Sequence, residues 1–272
     1  METIGYFASL IIGISLGLIG GGGSILTVPV LVYLFGVEPV LATAYSLFIV
    51  GSTSLIGAFP KYRKGLINLK ASVVFGLPAI AAVFLTRMYI VPVIPENLFT
   101  ISGVLITKAV LMMVVFAMLM VVASITMIRS ATDEIDDNAR SEAPEHAVTY
   151  NYPLILAEGA IVGILTGLVG AGGGFLIIPA LVLLSRLPMK EAVGTSLLII
   201  AAKSLIGFIA DVSHYTLDWR MLIVITIIAI VGIFAGNWLH DRVSAVRLKR
   251  GFGWFILIMG CYIIARELFL TP

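Results

Sequence analysis

The sequence predicts an all-α integral membrane protein made of two inverted-topology repeats of about five helical segments each. Three observations lead there. The 272 residues are 60% hydrophobic and 12% charged, about half the charge of a soluble domain, and the mean hydropathy is +1.12. Several apolar runs, among them 71–86, 100–128 and 221–239, approach or exceed the roughly 20 residues that cross a bilayer core. The third observation is a duplication. Gly20-Gly21-Gly22-Gly23-Ser24, followed by Ile25-Leu26-Thr27-Val28-Pro29, returns 150 residues later as Gly170-Ala171-Gly172-Gly173-Gly174 and Phe175-Leu176-Ile177-Ile178-Pro179. At that constant offset, 18 of the 41 positions in 17–57 are identical to their partners in 167–207.

In chain order, Met1-Glu2-Thr3 lacks the basic n-region and small-residue cleavage site of a signal peptide, so the run 3–19 is expected to be a retained helix. It ends in four glycines, which cannot hold a helix. Residues 25–36 form a short apolar piece of about 18 Å. Val37-Glu38-Pro39 turns the chain into a long segment, 40–59, closed by Pro60 and a basic loop with Lys61, Arg63, Lys64 and Lys70. Spans over about 71–91 and 100–128 follow, separated by the turn 92–97. These complete a first unit, 1–128. A polar, mostly acidic stretch, 129–152, reads as a solvated cytoplasmic linker. The second unit, 153–272, repeats the plan: 153–169, a glycine loop, a short piece 175–185, then 191–210, 220–239 and 251–270.

Five segments per half is an odd number, so a second half whose segments all reverse direction sits upside down relative to the first. Placing 60–70 in the cytoplasm puts 12 of the 17 Lys and Arg on that side, a positive-inside bias that leaves both termini outside. Whether 25–36 and 175–185 cross or are re-entrant stays open at this point.

Broken hydrophobic segments at matching places in two halves point to a transporter's substrate site. Irregular backbone at membrane depth is tolerated only where protein or a wet cavity covers it. Amides at the start of the short pieces, and the positive end of their dipoles, favour an anion. The expected substrate contacts are therefore Gly22, Gly23, Ser24, Gly172, Gly173 and Gly174. The hydroxyl-bearing pairs Tyr45-Ser46 and Thr195-Ser196 fall at matching positions in the next segments. Lys203 lies 13 residues into the segment 191–210, where a buried ammonium marks function by default. Lys108 is nearer an end and is expected to snorkel. Glu158 is either a protonatable relay or an interfacial carboxylate. Gly232-x-x-x-Gly236 is read as a helix-crossing motif.

Other classes fare worse. His146, His214 and His240 are scattered, and a single cysteine, Cys261, excludes an intrachain disulfide and is expected in the core. These residues supply neither a metal site nor a nucleophile and base, so no catalytic residues and no cofactor are assigned. A scaffold has no use for Lys203 or for symmetric broken helices, and a channel would show no saturable countertransport.

The paired glycine loops with their downstream prolines, the Leu217-Asp218-Trp219 turn, and the closing pattern 232–250 followed by 260–264 resemble the sulfite exporter TauE/SafE family, also called the toluene-sulfonate uptake permease family. The resemblance covers about 10–265. It implies an inner (plasma) membrane carrier for small sulfur-containing anions such as sulfite or organosulfonates, and extends binding to the glycine loops and the two hydroxyl pairs. The partners are then a small-molecule anion and the lipid bilayer, with no nucleic acid; a homodimer is left open. An inside-negative potential drives a monovalent anion outward by about 2.3 kcal/mol per 100 mV, so export needs no coupled ion, whereas uptake needs proton or sodium symport.

Overall fold

The computed structural model describes residues 2–21, 23–101, 104–137, 152–170, 172–183, 187–240 and 245–269. Among them the chain forms ten helices and one small hairpin. The first five helices are α1 (Glu2–Ile19), α2 (Ser24–Tyr33), α3 (Pro39–Arg63), α4 (Leu69–Leu85, continued by a π turn Thr86–Ile90 and by Val91–Val93) and α5 (Lys108–Asp137). The second five are α6 (Tyr152–Val169), α7 (Gly174–Leu183), α8 (Met189–Val212), α9 (Trp219–His240) and α10 (Ala245–Phe269). Each half thus runs medium, short, long, long, long.

Local chemistry sets the boundaries. Glu38 caps α3, its carboxylate accepting from the amides of Val40 and Leu41 at 3.0 Å, with Pro39 as the first helical residue. Asn68 caps α4 through Ala71, and Asp218 caps α9 through Met221. The short helices α2 and α7 have 10 residues each, about 15 Å, half the hydrocarbon core. Each carries an internal proline, Pro29 or Pro179.

The expected span 100–128 is corrected at its start. Asn97–Ile101 (β1) and Val104–Thr107 (β2) pair as an antiparallel hairpin, and α5 begins only at Lys108. The segment is rich in β-branched residues and is divided by Ser102-Gly103, a composition that suits a two-residue hairpin better than a helix. Lys108 stands at this junction, its ammonium 3.7 Å from the exposed Glu96 carboxylate. Its place at a helix end is as expected, but Lys108 is 4% exposed, so its ammonium ends on Glu96 and does not snorkel into open water. Helix α5 runs to Asp137, into the polar stretch 129–152; residues 138–151 of that stretch lie outside the described residues.

Helices α3 and α8 are the central pair, each with 72% of its most apolar window buried, against 33% in the span containing α4 and 39% in α9. Around them the halves interleave: α1 packs on α9, α6 on α4, and α5 on α10. Small residues make these crossings possible. A methyl group at Gly13 would meet backbone atoms of Ala229 and, at 2.9 Å, the Cα of Gly232, and one at Gly17 would meet the amide of Asn237 at 2.7 Å. Gly232 and Gly236 in turn face the carbonyls of Leu10 and Ile14, the role expected of that motif. On the other side, methyls at Gly159 and Gly163 would meet the carbonyls of Phe75 and Ala79 at 2.6 Å. Ala79 and Ala229 are themselves 150 positions apart, as are Gly163 and Gly13. The duplication therefore persists as repeated contacts and not only as repeated letters.

The outer faces of α4 and α9 expose Val73, Leu77 and Leu85, and Ile223, Ile227, Val231 and Phe234, the surface of a multi-pass membrane protein. Cys261, expected in the core, is instead exposed on α10 near Ile258 and Tyr262. In a bilayer the outside is as apolar as the inside, so a weakly polar thiol has no preference for burial.

Candidate functional site

The two glycine loops meet at the centre. A methyl group at Gly21 would lie 2.6 Å from the Cα of Gly174, and Gly174 is equally closed by Gly21. Gly172 reaches across to the first half, where its methyl would meet Ser24 Cβ at 3.1 Å. Each loop also leans on the long helix of the opposite half: Gly20 on Val193 in α8, Gly170 on Thr43 in α3. Val193 and Thr43 are again 150 positions apart.

Backbone geometry explains the glycines. Gly170, Gly172 and Gly173 adopt φ of +70°, +64° and +69°, a left-handed conformation that side chains strain. After Gly170 closes α6 by donating to Thr166 O at 2.8 Å, the amides of Gly172, Gly173 and Gly174 find no acceptor among the described residues. Those amides stand at the N-terminus of α7, where free N–H groups and the helix dipole are arranged for negative charge. In the first loop the Ser24 hydroxyl turns back to Gly21 O at 2.7 Å. Gly22, the remaining expected contact, lies outside the described residues.

Lys203 is the charged member of this centre. Its side chain is 1% exposed, and Nζ donates to Thr166 Oγ1 at 2.7 Å. A methyl at Gly173 would stand 2.7 Å from Nζ, so the ammonium sits directly against the second loop. No carboxylate among the described residues pairs with it. Glu158 is half-buried on α6, and its Oε2 lacks a hydrogen bond among the described residues. The position equivalent to Lys203 in the first half is Thr53, whose hydroxyl is buried and equally unsatisfied.

The hydroxyl pairs divide. The single Ser196 O–H lies within reach of two carbonyls, Val193 O at 2.9 Å and Gly20 O at 3.3 Å, so it touches the first loop. Ser46, fully buried, has no partner among the described residues. Tyr45 and Thr195 are committed elsewhere. The Tyr45 hydroxyl accepts from the amide of Asp218 at 2.6 Å, and Thr195 Oγ1 accepts from the amide of Asn68 at 2.9 Å. Each satisfies a backbone donor where the opposite half's fourth helix begins.

Sequence reasoning missed Arg87, Asp211 and Thr43. Arg87 lies in the π turn, 0% exposed; its Nη1 is 3.2 Å from Asp211 Oδ2 and donates to Thr43 Oγ1 at 2.9 Å. Single π turns recur at functional sites. A methyl at Gly170 would meet Arg87 Nη2 at 2.6 Å. Neither charge stands out locally, and Asp211 lies one residue past the expected segment 191–210. Yet 87 falls inside the apolar run 71–91, and that placement was the available signal.

Comparison with known proteins agrees with this architecture. The family model described as "Sulfite exporter TauE/SafE" matches residues 6–263. A probable membrane transporter protein of Xylella fastidiosa (strain 9a5c) is 31% identical over 265 residues, covering 94% of this chain and 92% of the relative. The probable membrane transporter protein YunE of Bacillus subtilis (strain 168) is 25% identical over 268 residues, 96% of each chain. No solved structure matches. Matched along nearly its whole length, with the helices of a multi-pass membrane protein, the chain belongs to the sulfite exporter TauE/SafE family of membrane transporters.

Proposed function

We propose that the protein is a secondary transporter that exports small sulfur-containing anions, such as sulfite or organosulfonates, by alternating access. One observation carries the reading: two glycine loops abut at the centre of the fold, with amides on one that find no acceptor among the described residues and a buried ammonium beside it. The loops touch too closely in this conformation to admit even a methyl between Gly21 and Gly174; once the halves part, an oxyanion would receive hydrogen bonds from Gly172, Gly173 and Gly174, charge from Lys203, and hydroxyl contacts from Ser46 and Ser196, with Gly22, Gly23 and Ser24 as the opposite wall. Two inverted halves rocking about the loops would open the site to either face. The contact equivalences at a 150-residue offset support that symmetry. The skewed basic loops support an inner-membrane orientation with both termini outside. Export follows the potential, since a monovalent anion gains about 2.3 kcal/mol per 100 mV on leaving. Sulfite and sulfonate flux in proteoliposomes under an imposed potential, with wild type and Gly173→Leu, tests this. Potential-driven efflux that the variant abolishes is expected, and absence of saturable flux for every sulfur oxyanion refutes the function.

A second reading, proton-coupled uptake, finds its observation in Asp211, a carboxylate buried at the end of α8. Accumulation against the potential driven by a pH gradient would select it.

A further inference from the structure

We infer that Arg87 is a second anion-binding cation, at the opposite end of the second glycine loop from Lys203, and that Asp211 is the internal anion that occupies Arg87 until a substrate oxygen takes its place. The inference rests on the transporter reading above and deepens it. Lys203 Nζ stands against Gly173 and Arg87 Nη2 against Gly170, each reached at 2.6 or 2.7 Å by a methyl at the glycine. Three peptide units separate those glycines, at most about 10 Å, so one loop is flanked by two buried cations. Among the described residues the first loop shows no such pair, since Gly20 faces Val193, and Gly23 faces Ser15, Leu16 and Ile12.

Arg87 is incompletely satisfied. Nε and Nη2 have no hydrogen-bond partner among the described residues, although the whole residue is 0% exposed. Its contact with Asp211 is made at one point: Nη1 stands 3.2 Å from Oδ2, while Oδ1 has no partner among the described residues. A buried guanidinium selected for stability alone would be expected in a bidentate pair. A one-point contact with an open donor, Nη2, against the loop is the arrangement of a counter-ion that can be exchanged. Arg87 is carried by a π turn, and the Thr86 hydroxyl beside it is buried with no partner among the described residues. The ligand class is an oxyanion such as sulfite or a sulfonate, whose several oxygens can accept from more than one of the donors along the loop.

The test is equilibrium binding of sulfite and methanesulfonate to the purified full-length protein in detergent, with folding checked by size exclusion. Asp211→Asn frees Arg87 and is expected to tighten binding about fivefold or more. The double variant Arg87→Gln/Asp211→Asn removes both buried charges together, which a core tolerates better than loss of one. It is expected to bind at least tenfold more weakly than Asp211→Asn and several-fold more weakly than wild type. Should Asp211→Asn misfold, the double variant decides against wild type alone. Wild-type affinity in the double variant, or weaker binding in a well-folded Asp211→Asn, overturns the inference and leaves a structural ion pair, while wild-type transport keeps the broader function standing. A wild type that binds neither probe and transports neither overturns both.

Discussion

Replacing Lys203 by methionine should separate function from stability in opposite directions. Methionine keeps most of the side chain's volume and removes the ammonium. Two terms follow from the surroundings. The hydrogen bond from Nζ to Thr166 Oγ1 is lost, costing about 1.5–3 kcal/mol for a bond to a charged group. Against this, an ammonium with 1% exposure and no paired carboxylate among the described residues is removed, and its burial costs several kcal/mol. Thr166 does not become an orphan, because its own hydroxyl still donates to Val162 O at 2.7 Å. The second term outweighs the first, so Lys203→Met should melt at or above the wild-type temperature, at roughly 2 °C per kcal/mol for a chain of this size. The bound anion, however, loses a charge-assisted bond of the same about 1.5–3 kcal/mol, so affinity should fall about ten- to hundredfold. Thermal unfolding in detergent and anion flux in liposomes read the two quantities separately. A variant that melts several degrees lower yet transports normally would refute the reasoning, since Lys203 would then be a structural strut.

Further outcomes follow from the same geometry. Tyr45→Phe and Thr195→Val each strand a backbone amide at the start of α9 or α4; each should lower stability by about 1–3 kcal/mol, seen as a lower melting temperature with anion affinity unchanged. Gly236→Leu drives a side chain into the Ile14 carbonyl across the α1 and α9 crossing, and should cost about 1–3 kcal/mol or more as overpacking, measurable as reduced folded yield. On the orientation proposed, a cysteine at Glu2 in a Cys261→Ser background should react with a membrane-impermeant maleimide added to intact cells, whereas one at Lys64 should react only after permeabilisation; the reverse pattern would invert the topology.

Much of this fold was legible because glycine and proline punctuate a greasy sequence. The four glycines after α1, their echo at 170–174, and Pro29 and Pro179 located both short helices within two or three residues. Lys203 was legible because it sits deep in an apolar run. Other features depend on tertiary pairing that no local pattern encodes. Tyr45 and Thr195 look like site hydroxyls until Asp218 and Asn68, 173 and 127 residues away, are seen donating to them. Arg87 has no partner nearby in sequence, because Asp211 lies in the last turn of α8 and closes on it only when α4 packs beside α8. The hairpin before α5 was hidden by hydropathy, which does not distinguish a β-branched strand from a buried helix.

The interleaving of the halves has a consequence for synthesis. The glycine stripe of α1 is complementary to α9, whose first residue lies 217 positions later. At a translation speed of about 5–20 residues per second, the earlier helix waits roughly 10–40 s in the membrane before its mate leaves the ribosome. During that interval its notched face lacks the helix it packs against in the folded chain, so this crossing forms only after both halves have been made. A split version of the gene should therefore regain activity only when both fragments are made in the same cell.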